Sequence, residues 1–193
     1  MHVSLAHLEA IYADGDDPWG FRSSPYEHAR LGAVARALPR ARYASALEIG
    51  CGNGELARRI APRCDAYLGV DAVEAALEAA RRAAPSARFE RLFVPAELPA
   101  GPGDAEHDLI LLSEVLYFLD APEIADLAAQ IDRRWPQADI LCCTWLGASG
   151  NALEGEAALA LFTHASRRSF RRLPVGDGDA DGYRLDLAAG AVQ

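Results

Sequence analysis

After residue 44 the apolar pattern switches repeatedly between a period of two and a period near 3.6, and that switch constrains the fold more than any other feature of the chain. Strand-length apolar runs alternating with helical stretches build a parallel sheet covered by helices, a doubly wound α/β architecture. The pattern predicts strands over 45–49, 67–70, 88–93, 108–112 and 139–145, and helices over 55–61, 73–84, 122–135 and 154–165. The 108–112 run is apolar almost throughout, as a strand covered on both faces requires. Between the third and fourth strands, Pro95, Pro99, Pro102, Gly101 and Gly103 force an irregular crossing. The last two runs, 169–173 and 183–187, flank a Gly/Asp-rich turn and predict an antiparallel hairpin. A length of 193 residues with 51% hydrophobic content suits one core of ordinary size, so a single domain over 1–193 is expected.

Upstream of the alternation, Ser24-Pro25-Tyr26-Glu27 combines an N-cap, a proline at the first helical position and a capping-box Glu. A helix is predicted over 25–38 with Leu31, Val34 and Leu38 as its apolar stripe. Arg30 lies beside that stripe, and an arginine at the margin of a buried face wants an anionic partner. The segment 12–26 carries glycines, acids and aromatics without regular period and reads as a lid that orders when ligands bind, so 1–40 is expected to form an N-terminal lid and helices.

Charge and composition exclude several functions. With 28 acidic against 19 basic residues the net charge is -9, which repels phosphate backbones and argues against nucleic acid as a substrate. The longest uncharged run, 140–153, falls short of the roughly 20 apolar residues that span a bilayer. The first ten residues lack the basic cluster and apolar core of a leader, so a cytoplasmic setting is expected. Cys51, Cys64, Cys142 and Cys143 form no Cys-x-x-Cys hook and read as free thiols, with no metal expected. Asp177, Asp179, Asp181 and Gly182 imitate the start of a calcium loop, but its twelfth position is Ala188 instead of a bidentate Glu, and a solvated turn is the better reading.

The first predicted strand runs into Glu48-Ile49-Gly50-Cys51-Gly52-Asn53-Gly54 and then a helix, at the carboxyl edge where open α/β sheets bind ligands. A dinucleotide fold wants Gly-x-Gly-x-x-Gly, whereas this turn is Gly-x-Gly-x-Gly with an acid two residues before it. The spacing favours S-adenosylmethionine over NAD. Asp71 ends the second strand, where a carboxylate can accept both hydroxyls of an adenosine ribose.

With these motifs in this order, the chain resembles the class I S-adenosylmethionine-dependent methyltransferases across roughly residues 45–190. More narrowly it resembles the NodS-type nodulation N-methyltransferases, through Asp17-Pro18-Trp19, Ser24-Pro25-Tyr26-Glu27 and Ser113-Glu114-Val115-Leu116-Tyr117-Phe118-Leu119. The resemblance implies a Rossmann-like, mostly parallel seven-stranded sheet with the C-terminal hairpin inserted antiparallel. It implies that Gly50, Gly52 and Gly54, with Asn53 between them, lie against the methionyl part of the cofactor, Asp71 on its ribose, and Glu48 behind the loop and amino group. Phe93 and Val94 would sandwich the adenine, with Ser113 nearby, while Glu97 stands too far along to replace the acid usual after the third strand. Trp19 and Arg30 would close over the cofactor, Arg30 pairing with its carboxylate; core packing and a surface salt bridge are the competing roles. Relatives often carry His-Trp where this chain has Thr144-Trp145, so the acceptor pocket is expected to differ.

Methyl transfer is an in-line displacement that needs a lone pair held opposite the sulfur-methyl bond. A protonated amine has none, so a general base is useful, and Glu114 after the fourth strand is the leading candidate, with capping or cofactor contact as its alternatives. Tyr117 and Tyr26 are candidates to line the acceptor pocket, or else to pack. Histidine is a common general base, but His28, His107 and His164 are poorly placed for that role. The expected product is S-adenosylhomocysteine and the expected partner a small amine or hydroxyl compound, an amino sugar or secondary metabolite by family likeness, in a monomer or homodimer. An NAD-linked oxidoreductase and a catalytically silent cofactor-binding module are the alternatives.

Overall fold

The computed structural model describes residues 3–175 and 182–190; Asp177, Asp179 and Asp181 of the calcium-like turn lie outside the described residues. Seven strands form one sheet: β1 (Tyr43–Ile49), β2 (Cys64–Asp71), β3 (Arg88–Arg91), β4 (Leu109–Ser113), β5 (Asp139–Trp145), β6 (Arg171–Leu173) and β7 (Tyr183–Ala188). Their order is β3-β2-β1-β4-β5-β7-β6, and β7 alone runs against the rest, paired antiparallel to both β5 and β6. The expected mostly parallel sheet with an inserted hairpin is therefore present. The chain winds outward from β1 to β3, then crosses back to β4 on the other side of β1. The crevice between β1 and β4 is thus the switch point at which open sheets hold ligands.

The helices are α1 (Leu5–Ile11), α2 (Pro25–Ala37), α3 (Ala57–Ile60), α4 (Glu74–Ala83), α5 (Ala121–Arg134) and α6 (Gly155–Ala165). Strand residues alternate between two cores. Ala46, Leu109, Leu111 and Leu141 face α2, α3 and α4, whereas Leu47, Ile110, Leu112 and Ile140 face α5 and α6. Each fully buried Leu or Ile contributes roughly 1.5–3 kcal/mol of transfer free energy. In α5, Asp120 and Glu123 exchange side-chain and backbone bonds as a complete capping box. In α2 only half of the box forms: Ser24 Oγ accepts from Glu27 N at 3.3 Å, while the Glu27 carboxylate turns to Arg30.

Several elements differ from the sequence reading, β2 for instance starting at Cys64, three residues before the run that predicted it. The helix after the glycine turn begins two residues late and is a single turn, Ala57–Ile60, because Gly54 takes φ +79° and Pro62 starts a 3-10 turn. The third strand ends at Arg91, two residues early. Helix α1 lies in the expected N-terminal region of lid and helices, at bounds that the sequence reading did not give: Ser4 caps it through His7 N, and Leu5, Leu8 and Ile11 pack against Tyr12, Ala72, Val73 and Ala76. Among the described residues, no helix is long and apolar enough to cross a membrane. Cys51, Cys142 and Cys143 are buried free thiols and Cys64 a half-buried one.

Candidate active site

The register aligns the carboxyl ends of the central strands, with Ile49 opposite both Val70 and Leu112, and Ser113 opposite Cys143. A cleft of about 660 Å³ opens above that edge, roofed by α1 and the segment leading to α2. The glycine turn forms its floor. Gly50 N and Cys51 N donate to Val70 O at 2.9 and 3.0 Å, tying the turn to β2. Gly50 and Gly52 take φ of +77° and +52°, which side chains avoid. Asp71 closes the far side: Oδ2 accepts from Gly52 N at 2.9 Å and Oδ1 from Val73 N at 3.0 Å. Burial raises the Asp71 pKa, and these N–H bonds act in the opposite direction.

Glu48 stands beneath the turn, 1% exposed, and accepts from Tyr67 Oη at 2.6 Å. Burial pushes its pKa up to about 8. Asn53 Nδ2 donates to Asp17 Oδ1 at 2.8 Å, but Asn53 Oδ1 is buried and has no donor among the described residues. A buried acceptor left unmatched is costly, so it points to a donor supplied by a ligand.

The roof hangs on a few polar contacts. Besides Asn53, Asp17 holds Phe21 N at 2.8 Å and Arg22 N at 3.1 Å, and Asp16 reaches Arg82 of α4 at 2.7 Å. Trp19 remains 43% exposed, its ring edge-on to Tyr12 at 5.5 Å and tilted to Phe21 at 5.7 Å. Tyr12 and Phe21 border the cleft but were not selected from the sequence; the Leu5, Leu8 and Ile11 stripe of α1 is the signal that could have found this wall.

At the other end of the cleft lies a connected set of charges. Arg30, 3% exposed, donates Nε to Glu27 Oε2 at 2.9 Å and Nη1 to Glu114 Oε1 at 2.7 Å. The anionic partner that its position demanded is thus supplied within the chain. Glu114 adopts φ +58° and its Oε2 accepts from Tyr117 Oη at 2.8 Å and Trp145 N at 3.0 Å. Burial raises the Glu114 pKa, opposed by Arg30 and by these donors. Tyr26 stands edge-on to Trp145 at 6.0 Å and to Tyr183 at 6.1 Å, forming an aromatic rim.

Every residue expected at the site borders the cleft except Gly54. Gly54 serves packing: a Cβ there would lie 2.7 Å from Ala80 Cα of α4. Glu97 is exposed beside Arg134 and does not border the cleft. His28, His107 and His164 are also outside it, His107 being bonded to Ser45 Oγ at 2.8 Å and edge-on to Trp135 at 4.9 Å.

Comparison with known proteins agrees with this geometry. Nodulation protein S of Bradyrhizobium diazoefficiens is 29% identical over 169 residues, covering 81% of this chain and 78% of that protein. Nodulation protein S of Rhizobium tropici is 32% identical over 114 residues, covering 54% of this chain and 44% of its own length. In fold the chain is similar to the N-methyltransferase NodS of Bradyrhizobium japonicum WM9, solved with S-adenosyl-L-homocysteine, at a TM-score of 0.76 and 22% identity over 97% of this chain and 98% of that one. It is also similar to the mitomycin 7-O-methyltransferase MmcR, at 0.72 and 19% identity over 98% of this chain and 61% of that one. The model of the nodulation protein S (NodS) family matches residues 7–133, and the chain belongs to that family.

Proposed function

We propose that the cleft binds S-adenosylmethionine across the carboxyl ends of β1, β2 and β4 and that the protein transfers its methyl group to a small amine, releasing S-adenosylhomocysteine. The observation that carries the reading is convergence: the glycine turn of β1, Asp71 of β2 and the Glu114–Tyr117 pair after β4 open on one cleft. When bound, the cofactor supplies a methyl group activated on a sulfonium. Asp71 accepts the ribose hydroxyls, and Gly50 and Gly52 let the backbone approach without a side chain between. The donorless Asn53 Oδ1 fits an ammonium hydrogen of the methionyl part, with Glu48 behind the turn. Phe93 and Val94 flank the adenine, Ser113 borders it, and Trp19 excludes water from above. Arg30, its guanidinium shared between Glu27 and Glu114, holds Glu114 in place instead of meeting the cofactor carboxylate.

Charge favours an amine over a hydroxyl as acceptor. Two carboxylates, Glu27 and Glu114, share the single Arg30 cation, so this end of the cleft is net negative and attracts a cationic substrate. The aromatic rim of Tyr26 and Trp145 suits the apolar face of a ring. Amino sugars and secondary-metabolite amines satisfy both demands, and an amine acceptor accords with the N-methyltransferase NodS. The enzyme acts as a monomer or homodimer on small molecules and not on nucleic acid, which its charge of -9 repels. A cytoplasmic setting accords with its four free thiols.

The test is incubation with methyl-labelled S-adenosylmethionine and a panel of amines, amino sugars and alcohols, followed by mass spectrometry. Label on amines supports the reading, and label on alcohols alone overturns the amine assignment. Cofactor binding with no label transferred to any compound favours a silent binding module.

A further inference from the structure

Glu114 is a carboxylate with no acceptor position to spare. Oε1 accepts from Arg30 Nη1 at 2.7 Å and from Cys143 Sγ at 3.5 Å; Oε2 accepts from Tyr117 Oη at 2.8 Å and from Trp145 N at 3.0 Å. A carboxylate offers about four lone-pair positions, so direct proton abstraction from a substrate requires one of these bonds to break first. Protonation along an existing bond requires no such rearrangement. Three of the four donors are unsuited to pass a proton from the cleft. Trp145 N is a backbone amide, Arg30 keeps its proton, and Cys143 is buried off the cleft with Sγ already accepting from Arg30 Nη1 at 3.3 Å. Tyr117 differs on both counts. Its ring borders the cleft, and its oxygen has lone pairs in addition to the hydrogen it gives Glu114.

We propose that Tyr117 takes the proton from the acceptor ammonium while handing its own to Glu114, so that Tyr117 is the catalytic base and Glu114 the proton store behind it. This rests on the methyltransferase reading above and names the route of its proton. The balance is complete. The ammonium N–H breaks and its electron pair stays on nitrogen as the attacking lone pair. A new O–H forms on Tyr117 Oη, the old Tyr117 O–H breaks, and an O–H forms on Glu114 Oε2. Glu114 passes from carboxylate to neutral acid and returns the proton to water along the same path after the product leaves.

The surroundings suit this task. From α2, Arg30 and Glu27 present opposite charges and Tyr26 a phenol; from β5 come the Cys143 thiol and the Trp145 amide. Glu27 offsets much of the Arg30 charge that would otherwise hold Glu114 ionised. Glu114 also keeps φ +58°, a strained setting for a residue with a Cβ, and strain of this kind clusters where a side chain must be aimed.

The experiment measures kcat/KM from pH 6 to 10 for the wild type and Tyr117→Phe, on glucosamine, ethanolamine and benzylamine, with S-adenosylhomocysteine affinity as the control on the site. In the wild type the relay uses the ammonium form, so the profile is flat between the ionisation of Glu114 and that of the amine. In Tyr117→Phe only the free amine reacts. Its kcat/KM then climbs about tenfold per pH unit below the amine pKa, and its deficit at pH 7, on the order of a hundredfold for ethanolamine and benzylamine and severalfold for the less basic glucosamine, closes toward the amine pKa. A deficit constant with pH, or none, overturns the relay, and so does a loss of S-adenosylhomocysteine affinity in Tyr117→Phe, which would make the Tyr117 hydroxyl part of the cofactor site instead. Failure of the wild type to methylate any of these amines removes the amine acceptor and the relay together, and failure to bind S-adenosylhomocysteine removes the underlying reading itself.

Discussion

Gly52 and Gly54 sit two residues apart in one motif, yet alanine at each should fail differently. Both have φ in the left-handed region, +52° and +79°, so an alanine costs about 1–2 kcal/mol at either position. At Gly54 the new Cβ also lies 2.7 Å from Ala80 Cα and 2.8 Å from Ala80 Cβ, atoms of helix α4 that cannot rotate aside. Overpacking adds roughly 1–3 kcal/mol, for a total of about 2–5 kcal/mol. At Gly52 the nearest atoms are Tyr12 Oη at 3.6 Å and Phe21 Cε2 at 3.7 Å, ordinary contacts between the turn and its roof. Gly52→Ala therefore loses only the backbone term in stability, but places a methyl where the ligand and roof meet. Urea unfolding and calorimetric titration with S-adenosylhomocysteine separate the two. With a slope of roughly 2–3 kcal/mol per molar, Gly54→Ala lowers the midpoint by about 1 M or more, and its folded fraction binds ligand nearly as the wild type does. Gly52→Ala shifts the midpoint less and weakens binding by about tenfold, the equivalent of an overpacking cost at the low end of 1–3 kcal/mol. A reversed order, with Gly52→Ala the less stable or Gly54→Ala the weaker binder, refutes the assignment of one glycine to the ligand and the other to α4.

Three further outcomes are expected. Asp71→Ala removes charge-assisted hydrogen bonds and weakens S-adenosylmethionine binding by on the order of 1.5–3 kcal/mol; unchanged affinity in a titration would take Asp71 off the ribose. Glu48 has a folded pKa of about 8 against an ordinary 4.5, so the native state holds the proton more tightly than the unfolded chain. Stability from this group is full below the unfolded pKa, declines as pH rises toward 8 and then levels; Glu48→Gln should flatten that slope in melts from pH 5 to 9, and an unaltered slope contradicts the burial argument. Asp17→Ala breaks the bonds to Asn53 Nδ2 and Phe21 N, so chymotrypsin should cut faster at Trp19 and Phe21; equal cleavage rates would show that the roof is held by packing alone.

The sheet was legible because its strands are covered on both faces and its helices on one. Alternation between Leu47 and Ala46 or Ile110 and Leu111 is enforced by two separate cores, and such enforcement leaves a mark in the sequence. Helix α1 left a weaker mark: none of its residues is buried, and its three large apolar side chains, Leu5, Leu8 and Ile11, pack against the small cluster around Tyr12 and Val73. The positions of Glu48, Asp71 and Glu114 at strand ends followed from the pattern of strands. What each side chain touches did not. Arg30 and Glu114 stand 84 residues apart, and nothing local announces that they share a bond or that Glu27 deserts its capping box to join them. Nor does the spacing of three glycines distinguish those facing a ligand from the one facing Ala80, because that depends on where α4 lands.

The most direct measurement of the central claim is a calorimetric titration of the protein with S-adenosylmethionine, S-adenosylhomocysteine and NADH in parallel. Micromolar binding of the first two without the third is the predicted result, with the affinity weakened in Asp71→Ala and retained in Tyr117→Phe. Binding of NADH alone, or S-adenosylmethionine affinity indifferent to Asp71, would contradict the account.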